Sequence, residues 1–396
     1  MADPWPWTSP RADAAVPAAA VKPSPDPVAF PHRLLTPAAQ FRDVSRGNPR
    51  PHSLKGDALV QARLTPQTWR MEVVADRAVD AVVKVTPDPG RELTLGGGTA
   101  LDLPALLELG KKHEVRLLKA MQCLNIPAPL GQGLWEGVPL REVLRLCGPL
   151  RNVRRVYYWG FHNQDPKQVF RSSLSFTQAM ETAPGEMPPF LAYRLNGEPI
   201  SLIRGGPVRM IIPWAHGFKS IKWLQRITLT NDHRANDTYA EQNNDPESHL
   251  KTAAYLDDLP AKIPEGNPVH LLGQVISGLS GVKRVEYSLA READDVRELR
   301  WSECQLEEPP ADWTAVLPAG VSPRQVLGFN PQTGGPLSWP LRYSMISWMA
   351  TLKGLARGKY TARARAVDLN GFAQPEPRPH PTSGRNAPDA REFEVV

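Results

Sequence analysis

Forty-two of the 396 residues are proline, scattered along the whole chain. Proline fixes φ, lacks a backbone N–H and breaks a helix interior. Prolines at this density leave room for few long helices and call for many turns. The chain must therefore be built from short strands and short helices. Eleven Trp and a hydrophobic content of 41% suffice to fill buried cores, and 396 residues are enough for two domains.

The Ala- and Pro-rich stretch 1–35 reads as an extended arm. Residues 69–74 alternate apolar and polar as a strand does, and 82–85 form another short strand. Residues 101–109 predict a helix with Asp102 as N-cap and Gly110 as its stop. Residues 115–121 read as a buried strand that delivers Cys123 to its end. A helix at 140–146 ended by Gly148, an aromatic strand at 155–161, a helical turn at 176–180 and an Asn196-Gly197 tight turn follow. A buried strand at 208–213 enters the segment 216–222, and the polar stretch 231–249 reads as a linker or loop. From Pro268 onward the pattern is all-β. In 359–367, Tyr360, Ala362, Ala364 and Ala366 fall on one side, and short strands between Gly/Pro turns suggest an immunoglobulin-like sandwich.

The net charge of +6 is spread along the chain and suits anionic substrates or an acidic protein partner. Zinc-finger spacing and an aromatic RNA-binding signature are both missing, so nucleic acid is not an expected partner. No apolar run approaches the roughly 20 residues of a membrane helix. Three cysteines, Cys123, Cys147 and Cys304, make no disulfide framework. Without a Cys-x-x-Cys-His sequence, no haem is expected on the chain, and electrons need an external carrier such as a cytochrome. Residues 14–21 are too interrupted for a signal-peptide core; the expected compartment is the cytoplasm, or the periplasm if an export signal has been removed.

Two segments carry chemistry. Lys119-Ala120-Met121-Gln122-Cys123 offers one thiolate, a strong ligand for a soft metal. Taken alone, a lone Cys is more often a buried core thiol, which is also the reading for Cys147; Cys304 looks incidental. Pro213-Trp214-Ala215-His216-Gly217-Phe218-Lys219-Ser220-Ile221-Lys222-Trp223 combines a permissive glycine with hydroxyl and cationic donors for an anion. By composition it is equally a solvated basic turn. Arg46-Gly47-Asn48-Pro49-Arg50-Pro51-His52 is a further basic loop.

Leu134-Trp135-Glu136-Gly137-Val138-Pro139-Leu140-Arg141-Glu142-Val143-Leu144 resembles the W-x-G-x-x-L-x-x-V-L run of the sulfite oxidase family of molybdenum enzymes. Leu191-Ala192-Tyr193 with Asn196-Gly197-Glu198, then Gly206-Pro207-Val208-Arg209, then Gly217 to Leu224 follow that family's order. Ala366-Val367-Asp368, Gly371 and Gln374-Pro375-Glu376 resemble the end of its dimerisation domain. The resemblance spans about 36–376. It implies an α+β chain: a mixed molybdopterin-binding domain at 36–250, then an immunoglobulin-like dimerisation domain at 265–396, and hence a homodimer. It implies a molybdenum–molybdopterin cofactor held by Cys123, with Arg46, Asn48, His52, Arg204, Arg209, His216, Phe218, Lys219, Ser220 and Lys222 around it. The chemistry implied is oxygen-atom transfer to sulfite or a related sulfur substrate.

The sequence also departs from the family. Sulfite-oxidising members usually follow the ligand Cys with Ala-Gly-Asn-Arg, whereas here stand Leu124-Asn125-Ile126-Pro127. Phe170 aligns with the usual active-site Tyr, and Arg204-Gly205-Gly206-Pro207 replaces His-Gly-x-Pro. Pro213 to Lys222 is closer to the bacterial protein-methionine-sulfoxide reductase branch, which lacks the C-terminal sandwich. A small dianion in a dry pocket needs matching donors. Tyr157, Tyr158, Trp159 and His162 are therefore candidates for the substrate side, with Arg154, Arg155 or Arg171 as replacement charges. Reduction of a sulfoxide or other oxo substrate, and a non-catalytic binding scaffold, are the alternatives.

Overall fold

The computed structural model describes residues 29–77, 85–124, 126–235, 237–292, 299–375 and 386–396. Most of the N-terminal arm, the expected strand at 82–84, Asn125 and Glu376 lie outside them. As the prolines require, strands dominate, and the longest described α-helix, Leu103–His113, has 11 residues.

Two five-stranded sheets and a two-stranded pair, Asp88–Pro89 with Leu150–Arg151, form the first half. One runs in the order Leu101–Asp102, Arg70–Ala75, Leu224–Thr230, Arg155–Gly160, Arg171–Ser175. Arg70–Ala75 and Leu224–Thr230 pair in parallel and the other neighbours antiparallel. The other is antiparallel, with Val115–Met121, Gly131–Pro139, Phe190–Leu195 and Glu198–Pro199 in order, and Arg209–Ile211 paired to Phe190–Leu195. Between them lies a core that includes Met71, Val138, Leu140, Val156, Tyr158, Leu191, Met210 and Leu224. Gly131–Pro139 is buried along its whole length, including Gln132 and Glu136.

Residues 253–395 form two further sheets. Val269–Ile276 pairs with Met345–Leu352, and Arg284–Arg291 with Gly358–Val367. Tyr360, Ala362, Ala364 and Ala366 are buried, as the alternation required. They pack with Val285, Trp348 and Phe393 between the sheets. The two halves share this core: Leu118 and Leu134 of the first half belong to it. Gln132 Nε2 donates to the carbonyls of Leu34 (2.8 Å) and Met345 (2.7 Å), and Ala120 N donates to Tyr343 O (2.8 Å).

Two expectations change. Asp102 does cap its helix, accepting from Ala105 N at 2.9 Å, but Gly110 does not stop it. Gly110 lies inside the helix because a Cβ there would overlap the Tyr193 hydroxyl. The stretch 231–249 is no linker: Asn231, Asp237, Tyr239 and Ser248 are buried, and the segment packs against the first half.

Candidate active site

Cys123 follows two residues after the Val115–Met121 strand and is buried (8% exposed). Leu130 N closes the loop behind it by donating to Met121 O (2.8 Å). The thiol faces a cavity of about 1000 Å³, part of it open to solvent. Met121, Cys123 and Trp135 come from the second sheet, and Gly160, Phe161 and His162 from the end of the Arg155–Gly160 strand. Arg204, Arg209, Gly217, Phe218, Ser220 and Lys222 come from the 204–223 run, and Phe41, Arg42 and Arg46 cross from the N-terminal side. Phe170 and Tyr239 complete that wall.

The cavity is electrically unbalanced. Arg204 donates to the carbonyls of Arg42 (2.9 Å) and Phe41 (2.6 Å), and Arg209 to those of Ser220 (2.9 Å) and Arg204 (3.1 Å). Both are buried, and no described carboxylate is ion-paired with either. Lys222 Nζ reaches Asp43 Oδ1, Ser45 Oγ and Ile203 O, each at 2.8 Å. Burial and then the neighbouring Arg204 bring Arg209 down to about 9; burial and then Arg209 bring Lys222 down to about 7. Gly205 lets these groups crowd together: its φ is +98°, and a Cβ there would stand 2.6 Å from Lys222 Cγ. On the strand that leads to Cys123, Lys119 is fully buried and, among the described residues, has only the carbonyls of Pro213 (2.7 Å) and Ala215 (3.2 Å) as hydrogen-bond partners; burial takes it down to about 7. His216 is buried with neither ring nitrogen hydrogen-bonded; burial holds it neutral, at about 3.

Residues 106–238 match the family model of the oxidoreductase molybdopterin binding domain. This stretch is similar to the domain that binds molybdopterin in oxidoreductases. Relatives include a nitrate reductase [NADPH] of Fusarium oxysporum, 35% identical over 27% of this chain and 11% of the relative. An inducible nitrate reductase [NADH] of Glycine max is 34% identical over 34% of this chain and 15% of the relative. The matched stretches thus span under a fifth of these curated relatives. In fold, the chain is similar to the sulfane dehydrogenase SoxCD of Paracoccus pantotrophus, with a TM-score of 0.56 at 15% identity over 87% of this chain and 85% of that one.

The wall fits the group that this domain binds. Asp43 pairs with Lys222, while buried Arg204 and Arg209 have no carboxylate partner among the described residues, so the cavity has positive charge left for an anion. Cys123 is also the one cysteine in position: Cys147 and Cys304 are packed in the cores. Burial pushes the Cys147 thiol up to about 11 and raises the Cys304 thiol as well.

Of the expected site residues, Cys123, His162, Arg46, Arg204, Arg209, Phe218, Ser220 and Lys222 lie on the cavity wall. The others do not. Tyr158 is a core brace: it is fully buried, its hydroxyl donates to Lys219 O (2.9 Å), and burial raises its pKa. Arg171 pairs with Glu241 (2.8 Å) and stacks over Tyr157. Lys219 is turned away, donating to Ser173 O (2.9 Å) and approaching Asp237 Oδ2 at 3.5 Å. His216 is behind the wall, His52 is beside Trp223 (centroids 6.5 Å), and Asn48 is exposed, held to Gln168 through its backbone. Tyr157 and Arg155 are bonded to Arg234 O and Ser173 Oγ, and Arg226 covers Trp159. The aromatic strand sits inside a five-stranded sheet, so only its end reaches the cavity. Sequence reasoning missed Lys119, Asp43 and Tyr239. A lysine inside an apolar strand was a usable signal for the first; nothing in the spacing marked the other two.

Proposed function

We propose that the protein transfers an oxygen atom between a molybdenum–molybdopterin group and sulfur, exchanging electrons with an external carrier such as a cytochrome. The observation that supports this reading is Cys123 on the wall of a cavity with unneutralised buried Arg204 and Arg209. Cys123 would ligate the metal, while Arg204, Arg209, Lys222 and the Ser220 segment would hold the anionic part of the pterin. Bound there, the cofactor supplies two-electron oxygen-atom transfer. The protein's part is to position it, neutralise it and keep the pocket dry.

The walls favour the reducing direction over sulfite oxidation. Phe170 packs against Phe218 and Tyr239, with centroids 6.5 and 5.3 Å away, so this part of the cavity is aromatic. The three inner cations already have a role with the cofactor. A neutral organic sulfoxide suits such a wall better than a dianion. Its sulfur–oxygen bond breaks, two electrons from the carrier reduce the sulfur to a thioether, and the oxygen takes up two protons and leaves as water. We further propose the division into domains at 36–250 and 265–396, with the second, immunoglobulin-like domain joining two copies in a homodimer. The test is steady-state turnover of molybdenum-loaded protein, with reduced viologen and methyl phenyl sulfoxide in one assay and sulfite with ferricyanide in the other. Sulfoxide reduction with a high KM for any sulfite turnover is expected; fast, tight sulfite oxidation without sulfoxide reduction would reverse the direction.

A further inference from the structure

The polar groups of the cavity wall are mostly committed. Arg204 and Arg209 hold backbone carbonyls, Lys222 has three acceptors, and Ser220 Oγ accepts from Ile212 N at 3.1 Å. Tyr239 differs. Its hydroxyl oxygen accepts from Arg46 Nη2 at 2.9 Å, and among the described residues its phenolic proton has no acceptor. A tyrosine hydroxyl is donor and acceptor at once, so one donor remains aimed into the cavity that Tyr239 lines.

The ring is held firmly. Tyr239 is 6% exposed, and Phe218 meets it edge-on with centroids 4.3 Å apart. The Arg46 guanidinium lies 4.2 Å over the Phe170 ring while it binds the hydroxyl. Leu124, the residue after Cys123, packs in the same cluster as Phe218 and Tyr239. The Tyr239 ring is therefore packed against the residue that follows Cys123, and Tyr239 and Cys123 line the same cavity. It comes from the segment after residue 238, outside the matched domain stretch.

We propose that Tyr239 contacts the substrate and sets its class: its hydroxyl, oriented by Arg46, donates a hydrogen bond to the oxygen of a neutral oxo substrate, while Phe170 and Phe218 take its aryl or alkyl substituents. This rests on the reading of the cavity as an oxygen-atom-transfer site. Tyr239→Phe removes the donor and keeps the ring, so the packing survives. Calorimetric titration of oxidised, molybdenum-loaded protein compares methyl phenyl sulfoxide with isopropylbenzene, which has a similar outline and no oxygen. Tyr239→Phe is expected to weaken the sulfoxide about tenfold, one hydrogen bond's worth, to leave isopropylbenzene unchanged and to keep the wild-type molybdenum content. In turnover the loss is expected mainly in KM. Equal sulfoxide affinity in both proteins, or equal losses for both probes, would overturn the role of the hydroxyl while leaving the functional reading intact. Wild-type protein without molybdenum would overturn the functional reading and this inference with it.

Discussion

Cys123 is the residue on which the proposed chemistry turns, and buried Arg204 and Arg209 on the same wall make the cavity suited to an anion. Cys123→Ala removes one soft ligand and little packing; it is expected to abolish turnover and cofactor absorbance while shifting stability by no more than about 2 kcal/mol, read by visible absorbance and thermal melting. Lys119 and Lys222, each brought by burial from 10.5 to about 7, give a pH signature. Between pH 7 and 10.5 the unfolded chain carries protons on these lysines that the folded chain lacks, so the cofactor-free protein gains stability as pH rises through that window. Denaturant titrations at about pH 7 and about pH 9 check the sign; no gain in stability over this range would mean that both lysines keep their charge. The resemblance pointed to Cys123 and the 204–222 run, and Cys123, Arg204, Arg209, Ser220 and Lys222 line one cavity while His216 and Lys219 of the same run do not. The role of Tyr158 could not be read from the sequence, since alternation along a strand does not say which face meets a cavity. Tyr239 was hidden because no local pattern ties residue 239 to residue 123.

At the scale of elements, the Asp102 cap, the Ser175–Gln178 capping box and the Asn196-Gly197 turn follow local rules, and all three stand where those rules put them. Gly110 does not follow such a rule. Its reason is tertiary, the close approach of Tyr193, whose hydroxyl donates to Glu114 Oε2 at 2.6 Å. Gly110→Ala improves helix propensity but displaces that tyrosine, so a net loss of about 1–3 kcal/mol is expected. A gain in thermal midpoint would show that Tyr193 moves aside freely. The 231–249 segment is a loop, one of its two expected readings, but it is packed into the first half and does not link two units. Its polar composition suggests solvent, yet Asp237 faces buried Lys219 and Tyr239 faces the cavity.

Across the whole molecule, the strand content, the all-β second half and the alternation of Gly358–Val367 were legible, because periodicity reports burial. The depth of the contact between halves was not, because it depends on single residues such as Leu118, Leu134 and Gln132, which join cores that are distant in sequence. Gln132→Ala leaves the carbonyls of Leu34 and Met345 and the N–H of Met345 without their buried partner. A loss of about 2–4 kcal/mol is expected, with both halves still melting in one transition; two separate transitions would show that the halves fold independently. The central claim is that the Cys123 cavity holds a molybdenum–molybdopterin group. Its most direct test is molybdenum per chain, by elemental analysis of protein made with molybdate in a host that synthesises the cofactor. Close to one molybdenum per chain is expected, and folded protein from that host without molybdenum would contradict the account.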